Sequence, residues 1–164
     1  MLIAELVVWF LLITIGVSDA QKNRIPNKAV LLLLAAVTAS VIAHPTGENG
    51  LDHVYGGLVA FAVCFALYLG KVMAGGDVKL LAVIGAWLGL SNLGDTAIAI
   101  ILAGGVVSVF YLMLHVASSG VAWSHQIKGY CLEKVTPGFR SSKPLVIPFA
   151  PIIVIGLAYF SYTH

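Results

Sequence analysis

The sequence predicts an all-α membrane protein whose chain crosses the bilayer six times. Three observations support this fold class: 60% of the 164 residues are hydrophobic, only 10% are charged, and the mean hydropathy is +1.00. Soluble domains carry about 25% charged residues, so much of the polar surface that a soluble domain needs is missing. The same deficit excludes a disordered chain and a nucleic-acid-binding surface. The chain is therefore expected to lie in a lipid membrane.

Six apolar runs, separated by polar or glycine- and proline-containing stretches, predict the six spans. In chain order they are Leu2 to Val17, Ala29 to Ala43, Val54 to Gly70, Val78 to Leu90, Thr96 to Ala117 and Leu145 to Tyr162. A membrane helix needs about 20 residues, so the shorter runs must extend into flanking polar residues or lie in a thin or protein-lined region. Pro148 and Pro151 are expected to kink the sixth helix.

The chain is expected to form a single transmembrane domain over residues 1–164. Its longest connection, residues 118–144, is too short for a second domain and is expected to be a cytoplasmic loop. Cys64 lies in an apolar run and Cys131 in the polar loop, so the cysteines support neither a disulfide framework nor a zinc site. No metal and no other cofactor is expected.

The basic residues indicate the orientation in the membrane. When the six spans alternate in direction, the loops after the first, third and fifth spans hold all nine Lys and Arg residues. These are Lys22, Arg24, Lys28, Lys71, Lys79, Lys128, Lys134, Arg140 and Lys143. The opposite loops hold only the acids Glu48, Asp52 and Asp95. Because Lys and Arg favour the cytoplasmic side, we expect the basic loops in the cytoplasm and both termini outside.

Two acids of the expected cytoplasmic side lie at the ends of spans. Asp19 closes the first span, and Asp77 opens the fourth directly after Gly75 and Gly76, whereas Glu133 is a solvated loop residue. An ionisable residue at a membrane helix end costs stability. Each aspartate could simply cap a helix or pair with a basic neighbour, and Asp77 is a suitable N-cap. The paired glycines, however, leave Asp77 unscreened and allow another backbone to approach.

Two facing carboxylates at one membrane depth suit aspartic hydrolysis. One carboxylate, ionised, takes a proton from water, while the other, protonated, polarises the scissile carbonyl. Close like charges push the two pKa values apart, so the pair shares one proton. The N-terminal end of a helix dipole favours a negative charge, so Asp77 is expected to be the ionised partner.

Three short motifs surround these aspartates and the start of the last span. They are Ser18-Asp19-Ala20-Gln21-Lys22-Asn23-Arg24-Ile25-Pro26-Asn27, Ala74-Gly75-Gly76-Asp77-Val78-Lys79-Leu80-Leu81-Ala82 and Pro148-Phe149-Ala150-Pro151. In this order they resemble the prepilin peptidases of type IV pilus systems, which are membrane aspartic proteases of the Gly-x-Gly-Asp type. The sequence departs from the family pattern at Ala74, where the family has its first motif glycine.

The resemblance implies that Asp19 and Asp77 are the catalytic pair. It also implies that the substrate is a prepilin or pseudopilin, whose short basic leader is removed at the cytoplasmic face of the inner membrane. Further motif residues are expected to support the site or bind substrate: Gly75, Gly76, Lys79, Arg24, Pro26 and Asn27. Lys79 could tune the acid pair, hold the substrate or serve only as a positive-inside lysine. The chain is similar to the compact, peptidase-only branch of tight-adherence (Flp) pili and archaeal preflagellin peptidases.

Two other interpretations stay open at this point. A non-enzymatic membrane subunit or a small ion or proton transporter could use Asp19 and Asp77 to line a path through the membrane. A catalytically inactive relative would keep the motifs without the activity. The transporter interpretation lacks an acid near the middle of any span, and it leaves the motifs around the two aspartates unexplained.

Overall fold

The computed structural model describes residues 2–22, 24–43, 50–119 and 148–163, and the regular structure within these ranges is entirely helical. The helices are α1 (Leu2–Lys22), α2 (Asn27–Ala43), α3 (Gly50–Leu69), α4 (Gly75–Leu88), α5 (Leu93–Ser119) and α6 (Phe149–Thr163). Each predicted apolar run overlaps one of these helices, and residues 145–147 of the sixth run lie outside the described residues. The predicted all-α fold class is therefore confirmed.

The chain divides into two compact units, Met1–Gly104 together with Pro148–His164, and Gly105–Ile147. The first unit contains all the site residues that the sequence predicts. The single domain over residues 1–164 stays a prediction. Of the predicted loop at 118–144, the first two residues end α5, and the remainder lies outside the described residues, as do both chain termini and Glu133.

Three of the described helices are long and apolar enough to cross a membrane. These segments are Ala4–Lys22, Gly50–Leu69 and Leu93–Leu114, whereas α2 and α6 are apolar but shorter. Helix α4 has 14 residues. At about 1.5 Å per residue it spans roughly 21 Å, less than the roughly 30 Å of a bilayer's hydrocarbon core. The six spans and their orientation therefore stay predictions.

Helices α1 and α4 extend into the polar residues beside their apolar runs, in one of the two ways predicted for short runs. Helix α1 continues past Val17 to Lys22, and α4 begins at Gly75. Asp19 therefore lies in the last turn of α1, and Asp77 lies in the first turn of α4. Both aspartates are held by regular helical backbone.

The two prolines of the last predicted span, Pro148 and Pro151, lie at the start of α6. The helix begins at Phe149, so Pro148 precedes it and Pro151 lies in its first turn. The N–H groups of a first helical turn have no intrahelical acceptor, so a proline there costs no hydrogen bond. The two prolines mark the start of α6, and the prediction that they kink the helix is wrong.

Small residues let the helices around the site approach closely. A Cβ atom on Gly85 of α4 would lie only 2.6 Å from the Cβ of Ala60 and 2.7 Å from the carbonyl oxygen of Gly56, both in α3. Such contacts are typical of helices that pack in membranes. Helix α1 packs against α2 and α6, and α2 packs against α4. These contacts bring the end of α1 toward the start of α4.

Candidate active site

Asp19 and Asp77 are buried although each lies near the end of its helix. Their exposed fractions are 6% and 9%, and they are the only charged residues that are buried among the described ones. The other described acids, Glu5, Asp52 and Asp95, are partly or fully exposed. Burial of a carboxylate costs free energy unless partners compensate for the lost water. The two positions therefore define a candidate site.

Helical periodicity turns both aspartates inward. The buried row of α1 consists of Val8, Leu12, Ile15 and Asp19. The corresponding row of α4 consists of Asp77, Leu80 and Ile84. Residues three or four positions apart lie on the same face of a helix. Each carboxylate thus continues the packed face of its helix toward the helix end.

The charges of the two aspartates act on each other. Asp77 precedes the apolar run of α4 and lies outside the three helices that qualify as membrane spans. Burial first, and the negative charge of Asp19 second, raise the pKa of Asp77 from its ordinary 3.8 to about 6, whereas a backbone hydrogen bond at Ala74 lowers it. Such an effect requires the carboxylates to be close in space. Helices α1 and α4 therefore place both acids in one electrostatic site.

Asp19 also binds the N-terminus of α6. Its Oδ2 atom accepts a buried hydrogen bond of 3.0 Å from the backbone N–H of Ala150. This N–H is free to bind a side chain because it belongs to the first turn of the helix. Ala150 could not be recognised from the side-chain pattern of the sequence, because it contributes a backbone donor. The signal that could have revealed it is the pair of prolines that mark the helix start.

An alanine fits at position 74, where the family motif has its first glycine. Ala74 is the N-cap, with φ −80° and ψ 149° and no side-chain capping hydrogen bond. Alanine adopts this extended region without strain, so a glycine is not required here. Asp77 is the third residue of the helix, so the N-cap role considered for it is wrong.

The glycines before Asp77 have different neighbours. A Cβ atom on Gly76 would lie 3.2 Å from the Cβ of Ile25, whereas one on Gly75 would make an ordinary contact of 3.5 Å with the ring of Tyr68. Ile25 follows Asp19 in the first motif. Gly76 is therefore the position at which the segment after the first aspartate packs against the helix of the second.

A hydrogen bond between two exposed side chains joins the motif around Asp19 to the motif around Asp77. The Nζ atom of Lys79 donates to the Oδ1 atom of Asn27 over 3.1 Å. Lys79 lies two residues from Asp77, and residues at this spacing do not share a helix face. Pro26 accepts backbone hydrogen bonds at the start of α2, and Arg24 is exposed. Lys79 thus contacts Asn27, and Arg24 and Pro26 line the connection from α1 to α2.

An apolar cavity of about 450 Å³ lies on the Asp77 side of α4. Leu81 and Ile84 of α4 line it, and these residues follow Asp77 at helical spacing. Phe149, the neighbour of the Asp19-binding Ala150, lines it from α6. The cavity therefore reaches α4, which carries Asp77, and the start of α6, which donates the hydrogen bond to Asp19.

Comparison with known proteins identifies the family. The model of the type IV leader peptidase family matches residues 6–118, which include both aspartates. The chain is 32% identical over 158 residues to the prepilin leader peptidase/N-methyltransferase of Bacillus subtilis (strain 168). The match covers 91% of this chain and 52% of that protein, so the chain spans about half the length of this relative. No solved structure matches the chain significantly.

The family match extends over more than half of the chain, and it agrees with the resemblance that the motifs around Asp19 and Asp77 indicate. The family consists of aspartic-type prepilin peptidases. The chain belongs to the type IV leader peptidase family.

Proposed function

We propose that this chain is a membrane-embedded aspartic endopeptidase that removes the short basic leader of a prepilin-type substrate at the cytoplasmic face of the inner membrane. The observation that carries the proposal is the pair of buried, electrostatically coupled aspartates, Asp19 and Asp77. Membership of the family supports the reaction class. The name of the Bacillus subtilis relative supports the substrate class.

In this mechanism Asp19 is the base and Asp77 is the acid. Asp19 takes a proton from a water molecule, the water oxygen attacks the scissile carbonyl carbon, and Asp77 gives its proton to the carbonyl oxygen. The C–N bond of the tetrahedral intermediate then breaks as Asp19 returns its proton to the leaving nitrogen. One hydroxyl proton of the intermediate passes to Asp77, which restores the starting protonation of the pair.

This assignment reverses the one expected from the helix dipole of α4. The raised pKa of Asp77 supports a bound proton on that residue, because burial and the neighbouring charge outweigh the backbone hydrogen bond at Ala74 that lowers the pKa. Asp19, in turn, accepts the Ala150 N–H at the N-terminus of α6. The favourable end of a helix dipole therefore acts on Asp19 as well. The hydrogen bond also fixes one carboxylate oxygen of Asp19.

The distribution of basic residues supports the cytoplasmic placement. The described basic residues lie at the aspartate-bearing ends of α1 and α4 and in the adjoining connections and helix ends: Lys22, Arg24, Lys28, Lys71 and Lys79. Lys and Arg concentrate on the cytoplasmic side of membrane proteins. Both aspartates lie in terminal turns, which suits a cleavage site at the membrane edge and does not favour a path through the membrane.

The apolar cavity beside the aspartates supports recognition of a hydrophobic substrate helix. Leu81 and Phe149 bring it within one helical turn of Asp77 and next to Ala150, respectively. A prepilin whose helix packs in this cavity would present the peptide bond just before that helix to the two acids. A soluble peptide that lacks the helix should therefore be a poor substrate.

The proposal is tested with the purified chain in liposomes, mixed with a candidate prepilin and with the same prepilin truncated within its helix. The Bacillus subtilis relative serves as a positive control. We expect cleavage immediately before the helix of the full substrate and much slower cleavage of the truncated one. No cleavage of prepilins that the control cuts would indicate a catalytically inactive relative. Equal rates on the two substrates would contradict recognition of the helix.

A further inference from the structure

A second cavity, of about 370 Å³, lies at the opposite end of the helices from the aspartates. The N-terminal part of α1 and the C-terminal parts of α4 and α6 form it. Glu5 of α1 lines this cavity and precedes Asp19 by about four turns of helix, which places it roughly 20 Å from the candidate active site. The volume falls within the range of small-ligand sites.

Two tryptophans form adjacent walls of the cavity. The ring centroids of Trp9 in α1 and Trp87 in α4 lie 6.0 Å apart, and the ring planes meet at 80°. Trp9 follows Glu5 by one helical turn, so the indole and the carboxylate share one face of α1. All three side chains are half-buried, and the buried side chains of Leu157 and Phe160 form an apolar floor.

This end of the first unit carries negative charge. Its described acids are Glu5, Asp52 and Asp95, and no described Lys or Arg lies at these helix ends. The described basic residues lie at the other helix ends, beside the aspartates. Glu5 therefore stands in a negative field with no described cation to neutralise it, and such a field attracts cations.

A cavity lined by one carboxylate and two tryptophan side chains suits an organic ammonium group. Ammonium ions bind the faces of aromatic rings, most favourably those of tryptophan, and a nearby carboxylate adds charge attraction. Mg²⁺ and Ca²⁺ favour several oxygen ligands, often carboxylates, whereas the side chains that line this cavity offer one carboxylate, one amide from Asn92 and one hydroxyl from Ser161. Interfacial tryptophans are common in membrane proteins, but that tendency alone does not explain why two of them meet beside a half-buried acid.

We infer that this cavity binds the ammonium group of a phosphatidylethanolamine headgroup from the membrane leaflet at that end. The exposed Ser161 lies at the cavity rim, where its hydroxyl group can bind a phosphate oxygen of the same headgroup. The cavity joins α1, α4 and α6, which are the three helices whose opposite ends hold Asp19, Asp77 and Ala150. A ligand that binds only the folded helices stabilises the protein by mass action. The inference does not depend on the proposed peptidase activity.

The test compares the purified chain in nanodiscs of phosphatidylglycerol alone with nanodiscs that also contain phosphatidylethanolamine. A Trp123→Phe background leaves Trp9 and Trp87 as the only tryptophans. We expect phosphatidylethanolamine to raise the melting temperature and to change the fluorescence of these two residues. Glu5→Gln should lose most of both responses, whereas Asp95→Asn, at an exposed acid of the same end, should keep them.

Two outcomes of the lipid comparison would overturn the inference. One is an equal response of Glu5→Gln and the parent, and the other is no response of the parent. Free ethanolamine serves as a third arm. If it produces the full response in phosphatidylglycerol nanodiscs, the site belongs to a soluble amine and the lipid assignment is wrong. If it only competes with phosphatidylethanolamine, the lipid assignment stands. Because glutamine has nearly the size of glutamate, the key variant tests charge with little change in packing.

Discussion

Asp77 holds a proton at a pH at which an ordinary aspartic acid has lost it, because burial and the charge of Asp19 raise its pKa from 3.8 to about 6. The proposed mechanism needs this proton on Asp77. We therefore expect kcat/KM to fall as the pH rises through this value, by about tenfold per pH unit well above it. A pH–rate profile from about pH 5 to about pH 8 measures the effect. A rate that rises across this range would contradict Asp77 as the acid.

Gly76 and Gly75 form a matched pair of test positions. A methyl group at Gly76 presses on Ile25 at 3.2 Å, whereas one at Gly75 makes an ordinary contact. Gly76→Ala should displace the segment after Asp19 and reduce cleavage severalfold. Gly75→Ala should keep parental activity and have equal or slightly higher thermal stability, because alanine restricts the unfolded chain. Equal cleavage rates for the two variants would show that the Ile25 contact does not position the site.

The acidic side chains of the candidate site could be predicted from the sequence, but the groups that bind them could not. Asp19 and Asp77 are recognisable because each continues a row of apolar residues at helical spacing and carries a charge where a charge is costly. The bond from Ala150 to Asp19 joins residues far apart in the chain, and its donor is a main-chain group. The Lys79–Asn27 contact likewise depends on how α2 and α4 pack.

Helix α6 contributes a helix N-terminus to the site, and this role can be tested by removing one N–H group. Ala150→Pro removes the donor to Asp19, and a hydrogen bond to a charged group is worth about 1.5–3 kcal/mol. We expect kcat/KM to fall by about tenfold to a hundredfold. Ala150→Gly is the control, since glycine keeps the backbone N–H that donates to Asp19. Equal losses in both variants, measured at similar thermal stability, would contradict the role of this bond.

The helices themselves could be predicted from the sequence, but their ends could not. Apolar runs reveal where helices exist, because each run must be buried or face lipid. The ends depend on local backbone geometry that the runs do not encode. Helix α4, for example, stops at Leu88 because Gly89 adopts a φ of 80°, and it starts after Ala74 without any side-chain cap. Pro148 and Pro151 begin α6 where a kink was predicted.

The topology of the whole chain gives a separate prediction. Because all nine basic residues sort to one side of a six-span arrangement, reporter fusions should alternate between the two sides of the membrane. Fusions after Lys22, Val72 and Tyr130 should report the cytoplasm, and those after Gly47 and Leu93 should report the outside. A cytoplasmic signal at Gly47 or Leu93 would contradict the shared side of Asp19 and Asp77.

Composition indicates a membrane protein, and the basic residues indicate an orientation, yet the number of spans does not follow from either alone. Three described segments satisfy the length of a span, while α2, α4 and α6 are shorter. Whether short helices cross depends on tilt, local bilayer thickness and packing, which are properties of the assembled helices in lipid. The reporter fusions therefore test the part of the fold that the sequence and the helix lengths leave open.

The central claim is that Asp19 and Asp77 act together on one peptide bond. The most direct test is the initial rate of prepilin cleavage by the parent, Asp19→Asn, Asp77→Asn and the exposed control Asp95→Asn, all in the same liposomes. Both active-site variants should lose on the order of 10² to 10⁴ in rate with unchanged folding, because the mechanism needs one acid and one base. Asp95→Asn should match the parent. Near-parental cleavage by either Asp19→Asn or Asp77→Asn would contradict the two-aspartate mechanism.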